Sequence, residues 1–186
     1  MPTCGSSSNT SRRPGAYNTV ATLVESDREV DRVVAASAGN HAQGVAFAAT
    51  ELGVDSLIVM PETAPQTKVD ATRGYGAEVE LVGETFAAAM EAAREYADEP
   101  QTAFVHAYDD PAVVAGQGTL GLELLDQVPD LDTVIVPVGG GGLIGGVATA
   151  LRGRSSDARI VGVQAEGAAT LPQSLAAGHP VDDDDP

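Results

Sequence analysis

The sequence predicts an α/β protein with an open parallel sheet and helices on both of its faces. Short apolar runs rich in Val and Ile alternate with segments of helical period from about residue 32 onward. The runs lack strict polar–apolar alternation, as expected for parallel strands buried on both faces. They recur about every 20–25 residues, which fits strand–helix–strand crossovers.

Each element follows from its own pattern of apolar residues. The predicted strands are 32–36, 56–60, 78–82, 103–106, 133–138 and 159–164, and the predicted helices are 41–52, 66–75, 85–97, 111–127 and 143–151. Residues 1 to about 14 have no periodicity and are expected to be disordered. The final nine residues are a charge run that cannot pack. Either the chain is a small domain with frayed ends, or it is a piece of something larger.

The chain is strongly acidic, with a formal net charge of −17 at pH 7 and a pI near 4.2. This charge argues against nucleic acid or an anionic membrane as a partner. The 10 basic residues include a single lysine, Lys68. Abundant carboxylates with almost no lysine indicate adaptation to high salt, where screening reduces self-repulsion. An ordinary acidic cytosolic protein is the alternative.

Other features narrow the class of protein. No apolar run approaches the ~20 residues of a membrane span, and the N-terminal segment lacks the apolar region of a secretory signal. The single cysteine, Cys4, excludes an intrachain disulfide and a cysteine-based zinc site. A cytoplasmic protein is therefore expected.

The stretch Ser-Ala-Gly-Asn-His-Ala-Gln-Gly, residues 37–44, lies between a predicted strand and a predicted helix. It carries more hydrogen-bonding side chains than a turn requires. The alternative is a purely structural role, with Asn40 as a helix cap and His41 as a polar residue of the first turn. Parallel sheets place ligands where strands end and helices begin, so this stretch is a candidate binding site.

A second junction, Val-Pro-Val-Gly-Gly-Gly-Gly-Leu-Ile-Gly-Gly, residues 136–146, carries four consecutive glycines before a helix. Glycines let the backbone approach a ligand, and the free amides of a helix start favour an anion, so phosphate is the expected ligand. A close helix–strand crossing is the alternative. The run also contains G-x-G-x-x-G followed by Glu166, the weak fingerprint of a dinucleotide site.

The two junctions together resemble the tryptophan synthase β-like enzymes, the fold type II pyridoxal-phosphate family, and most closely threonine dehydratase (threonine ammonia-lyase). The resemblance extends from Gly15 onward through GAYNTVATL, VVAASAGNHAQGVAFAA, VMPETAPQTKVDATRGYGAEV, GQGTLGLELL and VPVGGGGLIGGVA. It implies a three-layer fold with parallel sheets. Residues 32–109 would form a smaller α/β domain, and 1–31 with 110–186 would form part of a larger one. The family acts in amino-acid metabolism, including isoleucine biosynthesis, and is homo-oligomeric.

The resemblance also implies residue roles. Asn40 would bind the phenolic oxygen of pyridoxal 5'-phosphate. Residues of the first junction would bind the carboxylate of threonine or serine: Ser37, Ala38, Gly39, Asn40 and His41. Residues of the second would hold the cofactor phosphate: Gly139, Gly140, Gly141, Gly142 and Leu143.

Three positions distinguish the chain from related serine racemases. At the position of Ala38, the resemblance implies that serine racemases have a serine that donates a proton. Alanine cannot donate one, so elimination is expected rather than racemisation. Gln164 and Thr170 stand where carboxylates would bind a divalent cation. We therefore expect no metal site, and Glu166 is expected to be a solvated acid at the end of a strand.

The family's catalytic lysine, which carries the cofactor as a Schiff base, corresponds to Arg12. Arginine stays protonated and cannot form that linkage. Lys68 belongs to a different family segment and is not expected to replace it. One hypothesis is a local frameshift, because the codons of Phe-Lys-Thr read one base later can encode Ser-Arg-Arg, the residues at 11–13.

Three functions follow from these observations. The first is a truncated threonine ammonia-lyase relative, with turnover impaired by the loss of the lysine. The second is a non-catalytic fragment that retains residual, noncovalent affinity for pyridoxal phosphate. The third is a dinucleotide-binding module that uses the glycine run and Glu166.

Overall fold

The protein is described by a computed structural model over residues 14–166, 169–179 and 181. The chain divides into two compact units, residues 1–117 and 118–186. Helices and strands alternate along both units, and every strand pair is parallel. The predicted α/β class with parallel sheets is therefore confirmed.

The first unit is built on a four-stranded parallel sheet in the order β3-β2-β1-β4. Its strands are β1 (Arg32–Ala36), β2 (Asp55–Met60), β3 (Glu78–Leu81) and β4 (Thr102–Phe104). Its helices are α1 (Pro14–Val24), α2 (Asn40–Leu52), α3 (Gln66–Arg73) and α4 (Phe86–Ala97). Each of α2, α3 and α4 returns the chain to the start of the next strand, which is why the strands run parallel.

Helices cover both faces of this sheet. Val33 and Ile58 pack on one face with residues of α1, α2 and α3. Val34 and Leu57 pack on the other face with residues of α4. Neighbouring strand residues therefore point to opposite faces and are all buried, which explains why the sequence shows continuous apolar runs.

The second unit contains a two-stranded parallel sheet, β5 (Thr133–Pro137) and β6 (Arg159–Val163). Helix α5 (Pro111–Gln127) begins in the first unit, and α6 (Gly142–Gly153) and α7 (Leu171–Ala177) lie in the second. Val136 packs with Val147 and Leu151 of α6 to form a small core. On the other face of the sheet, Ile135 is 68% exposed and Val163 is 51% exposed.

Glycines allow α5 to lie close to other helices within each unit. A Cβ on Gly116 would lie 2.7 Å from the Cα of Gly15 in α1. A Cβ on Gly121 would lie 2.9 Å from the Cβ of Ala150 in α6. The glycines of the segment GQGTLGLELL are thus required by helix packing.

The structure refines the predicted elements. Helices α1 and α7 were not among the predicted helices. Strand β4 ends at Phe104 rather than His106, because the His106 ring accepts hydrogen bonds from the loop that follows. The predicted disorder of residues 1–14 falls almost wholly outside the described residues, and Pro14 begins α1. None of the described helices has the length and apolar character needed to cross a membrane.

Candidate functional site

The glycine loop, residues 139–143, joins β5 to α6. Gly141 precedes the helix with a φ of 90°, and no side chain caps the helix start. Among the described residues, no backbone oxygen accepts a hydrogen bond from the amides of Gly139 to Ile144. A Cβ built on Gly139 or Gly141 would meet nothing within 4 Å. Free amides beside open space at a helix start fit an anion such as phosphate.

The remaining members of the glycine loop differ in their surroundings. Gly140 is exposed, whereas Gly142 is buried at the first position of α6. Leu143 is half-buried and packs against the core formed by Val136 and Val147. Leu143 therefore offers an anion its backbone amide, while its side chain holds the helix on the sheet.

The α2 loop, residues 37–41, joins β1 to α2 in the first unit. Gly39 precedes the helix, and again no side chain caps the helix start. The Ser37 hydroxyl oxygen accepts a hydrogen bond from the Gly39 amide at 3.1 Å, which leaves the hydroxyl hydrogen free to donate. No described backbone oxygen accepts from the amides of Asn40, His41 or Ala42. The loop therefore presents donors suited to a carboxylate.

Asn40 is the first residue of α2 and does not cap it. Its side chain is exposed and makes no hydrogen bond to any described residue. Ala38, in contrast, is half-buried and packs against the core of the first unit. The amide of Asn40 is therefore available to a ligand, which a capping role would not leave it.

His41 links the α2 loop to the chain that leaves β4. Its Nε2 lies 3.1 Å from the carbonyl oxygen of Val105, so the ring donates there. Burial lowers the pKa of His41 below its ordinary value of 6.5, against the opposing effect of the Val105 carbonyl, and His106 lowers it further. His41 is therefore neutral at pH 7. The sequence left its role open between a polar residue of the first turn and a ligand-binding residue, and the structure adds the hydrogen bond to Val105.

A family described as "Pyridoxal-phosphate dependent enzyme" matches residues 8–186 of the chain. The chain belongs to the pyridoxal-phosphate dependent enzyme family. Its fold is that of the fold type II members, with which it shares the parallel α/β architecture.

Relatives of the chain within the pyridoxal-phosphate family include enzymes of threonine metabolism. An L-threonine ammonia-lyase of Thermotoga maritima is 49% identical over 164 residues, 88% of this chain and 41% of that protein. The processed form of threonine deaminase isoform 2 from Solanum lycopersicum has a TM-score of 0.87 and 43% identity, with 94% of this chain and 51% of that chain covered. Maize serine racemase has a TM-score of 0.86 and 36% identity, with 94% and 52% covered. The chain thus spans about half the length of these relatives.

The residues present fit the phosphate of pyridoxal phosphate. The glycine loop provides unpaired amides, a left-handed residue at the helix start and open space where side chains would otherwise lie. This arrangement suits a phosphate dianion through both hydrogen bonds and the helix dipole. The α2 loop is also a helix start with unpaired amides, and it adds the Ser37 hydroxyl and the Asn40 side chain. The amides and the hydroxyl suit a carboxylate, and the Asn40 amide can donate to an oxygen of the cofactor ring.

Two positions were considered for a covalent link to the cofactor, Arg12 and Lys68. Arg12 lies outside the described residues. Lys68 lies in the first turn of α3, where its side chain is half-buried and forms no ion pair with any described carboxylate. The backbone oxygen of Lys68 accepts a hydrogen bond from the Thr72 hydroxyl, which belongs to the helix itself.

Gln164 and Thr170, which stand where carboxylates would be needed to bind a cation, make hydrogen bonds to α7. The Gln164 side-chain oxygen accepts a hydrogen bond from the Leu171 amide at 2.9 Å and so caps the start of α7. The Thr170 carbonyl accepts from the Ser174 hydroxyl and amide. Glu166 is exposed. Within the part of the chain that is described, no three metal-ligating side chains form a group.

Proposed function

We propose that the chain binds pyridoxal 5'-phosphate and a hydroxy amino acid in the manner of threonine ammonia-lyases, with turnover impaired by the arginine at position 12. A competent relative would eliminate water from threonine or serine and release a 2-oxo acid and ammonia. The observation that carries the proposal is the glycine loop, because its free amides adjoin open space at the start of α6. Membership of the family supplies the identity of the anion.

Each residue of the α2 loop has a distinct part in the proposal. The amides at the start of α2 and the Ser37 hydroxyl bind the substrate carboxylate. The free side-chain amide of Asn40 binds the phenolic oxygen of the cofactor. His41 holds the loop in place through the carbonyl of Val105. Pyridoxal phosphate, when bound, supplies the electron sink that stabilises negative charge at the substrate Cα.

Ala38 favours elimination over racemisation. Its methyl group packs against the core and has no proton to exchange. Racemisation needs a group that delivers a proton to the second face of Cα, and position 38 cannot supply it. Similarity to maize serine racemase in fold therefore does not carry racemisation to this chain.

The absence of a lysine at position 12 limits the proposed turnover. Lysine can attach the cofactor covalently and move the α-proton, while arginine stays protonated and does neither. Lys68 is not proposed as a replacement, because its place in α3 corresponds to a different segment of the family. Cofactor binding by the unaltered chain is therefore weak and noncovalent.

Absorbance spectroscopy with pyridoxal phosphate tests this proposal. The unaltered chain should bind the cofactor without the band near ~410–430 nm of a lysine-linked cofactor, and borohydride should not fix it to the protein. Arg12→Lys should gain both properties. Arg13→Lys, which places a lysine one residue away, is the matched control and should gain neither. Robust ammonia release from threonine by the unaltered chain, or a reducible cofactor on Lys68, would contradict the proposal.

The setting of the protein is also proposed. The acidic composition and near absence of lysine support adaptation to high salt, and a cytoplasmic location is proposed with it. The family is homo-oligomeric. We propose that this chain forms oligomers only if a second copy covers the exposed face of β5 and β6. Residues 32–109 and the combined segments 1–31 and 110–186 remain the proposed domain division of a complete enzyme.

A further inference from the structure

The segment that follows β4, residues 105–110, lies beside the α2 loop. Strands β1 and β4 are parallel neighbours, with Val34 paired to Phe104, so the chain leaves both strands at the same edge of the sheet. The Val105 amide continues this ladder to the Val34 carbonyl at 2.8 Å, and the Val105 carbonyl receives the His41 ring. Neighbouring strands are about 4.8 Å apart. The chain that leaves β4 therefore lies next to the chain that enters the α2 loop.

The His106 ring is held in one orientation. Its Nδ1 accepts hydrogen bonds from the backbone amides of Asp109, at 2.9 Å, and Tyr108, at 3.3 Å. A ring nitrogen that accepts carries no proton, so the proton of the neutral ring is on Nε2. No described residue accepts from that nitrogen. His106 therefore presents a fixed donor that has no partner among the described residues.

Aromatic contacts hold the Tyr108 ring against His106. The two ring centroids are 4.7 Å apart at an interplanar angle of 85°, and Phe104 packs against the other side of His106 with centroids 6.0 Å apart. Tyr108 is nevertheless 43% exposed. The segment thus presents a polar donor and an apolar ring side by side, which are the two features needed to recognise a hydroxyl group next to a methyl group.

We propose that His106 and Tyr108 recognise the side chain of the amino acid whose carboxylate binds the α2 loop. The Nε2–H of His106 donates to the β-hydroxyl oxygen, and the Tyr108 ring covers the γ-methyl group, so threonine binds more tightly than serine. This inference rests on the proposed function, because it requires an amino acid at the α2 loop. It adds the preference between the two substrates, which neither loop determines alone.

Equilibrium binding to the full chain tests the inference without requiring turnover. The ligands are L-threonine, L-2-aminobutyrate, which lacks the hydroxyl, and L-serine, which lacks the methyl group. Each is titrated as the sole ligand while backbone amide shifts are followed by NMR. The unaltered chain should prefer threonine to both analogues.

Two substitutions at position 106 separate recognition from a merely structural role. His106→Asn keeps an acceptor for the two loop amides and loses the outward donor, so the preference for threonine over 2-aminobutyrate should fall about fivefold. His106→Gln keeps an outward N–H and loses the Nδ1 acceptor, so it should retain most of the preference. A histidine that only holds the loop predicts the reverse order, with Gln as the damaging change.

Substitutions of Tyr108 test the apolar contact. Tyr108→Ala should lower the preference for threonine over serine about fourfold, the effect of exposing one methyl-sized group, while Tyr108→Phe should leave it unchanged. Tyr96→Phe in α4 is the matched control and should have no effect. Unchanged preferences in both His106→Asn and Tyr108→Ala would overturn the inference alone. Absence of binding of any amino acid to the unaltered chain would overturn the proposed function as well.

Discussion

The Nε2 of His41 lies 3.1 Å from the carbonyl oxygen of Val105, so the first turn of α2 is hydrogen-bonded to the segment after β4. These residues are 64 positions apart in the chain. The contact is made possible by the sheet order, in which β4 pairs with β1 rather than with β3. Loss of this hydrogen bond would free the start of α2 from its neighbour.

Acid should destabilise the protein through His41. Its pKa is lowered by burial, so the folded chain binds fewer protons than the unfolded chain below the ordinary value of 6.5. The stability due to the neutral ring is complete above that pH and is lost as the pH falls towards the folded-state pKa. Urea unfolding at pH 7.5 and pH 5.5 measures the loss. His41→Gln, which can donate to Val105 without titrating, should lose less, and equal losses would contradict this prediction.

Gly121→Ala should destabilise the second unit by ~1–3 kcal/mol. The added Cβ would lie 2.9 Å from the Cβ of Ala150, so α5 and α6 must separate. Gly153→Ala is the matched control, because nothing lies within 4 Å of its Cβ at the end of α6. The control should be neutral or stabilising by ~0.5–1 kcal/mol from helix propensity. Thermal unfolding of both variants measures the difference, and equal melting temperatures would refute the packing argument.

Gly139→Ala should weaken anion binding without loss of stability. A Cβ there meets no protein atom within 4 Å but occupies the space beside the free amides. We expect the Kd for pyridoxal phosphate to rise about tenfold, equivalent to ~1.4 kcal/mol, with an unchanged melting temperature. Gly153→Ala should leave the Kd unchanged. If Gly139→Ala binds the cofactor as well as the unaltered chain, the phosphate is not bound at this loop.

Added KCl should raise the melting temperature. The net charge is −17, and among the described residues only Arg32 and Glu78 form a salt bridge, so repulsion between carboxylates is the main charge effect. The screening length falls from about 10 Å at 0.1 M to about 3 Å at 1 M salt. Unfolding is followed from 0.1 to ~2 M KCl, with sucrose of equal osmolality as the control. A melting temperature that follows osmolality alone would contradict the role of charge.

Local sequence patterns predicted most of the elements. The strand over 32–36 coincides with β1, and the helix over 111–127 coincides with α5. Both are long or strongly apolar segments whose patterns admit one interpretation. The positions of the α2 loop and the glycine loop followed from the same patterns, because each loop joins a strand to a helix.

Other features depend on contacts that the sequence does not show. Helix α7 has seven residues, none of them buried, so it produces no apolar stripe. In α1, buried Thr19 satisfies its hydroxyl by donating to the Gly15 carbonyl, which makes a polar residue compatible with the core. The partner of His41 requires the strand order, because Val105 follows β4 and is 64 positions away in the chain.

The uncovered face of β5 and β6 makes salt a source of two opposing effects. Ile135 and Val163 are exposed apolar residues on a chain with a net charge of −17, so repulsion between acidic surfaces opposes their contact with a second copy at low salt. Salt that screens the repulsion between carboxylates of one chain also screens the repulsion between two chains. Exposed strands with apolar side chains then readily associate. The amount of folded, unassociated protein should therefore be greatest at an intermediate ionic strength. Below it the protein is lost mainly by unfolding, and above it mainly by association between chains.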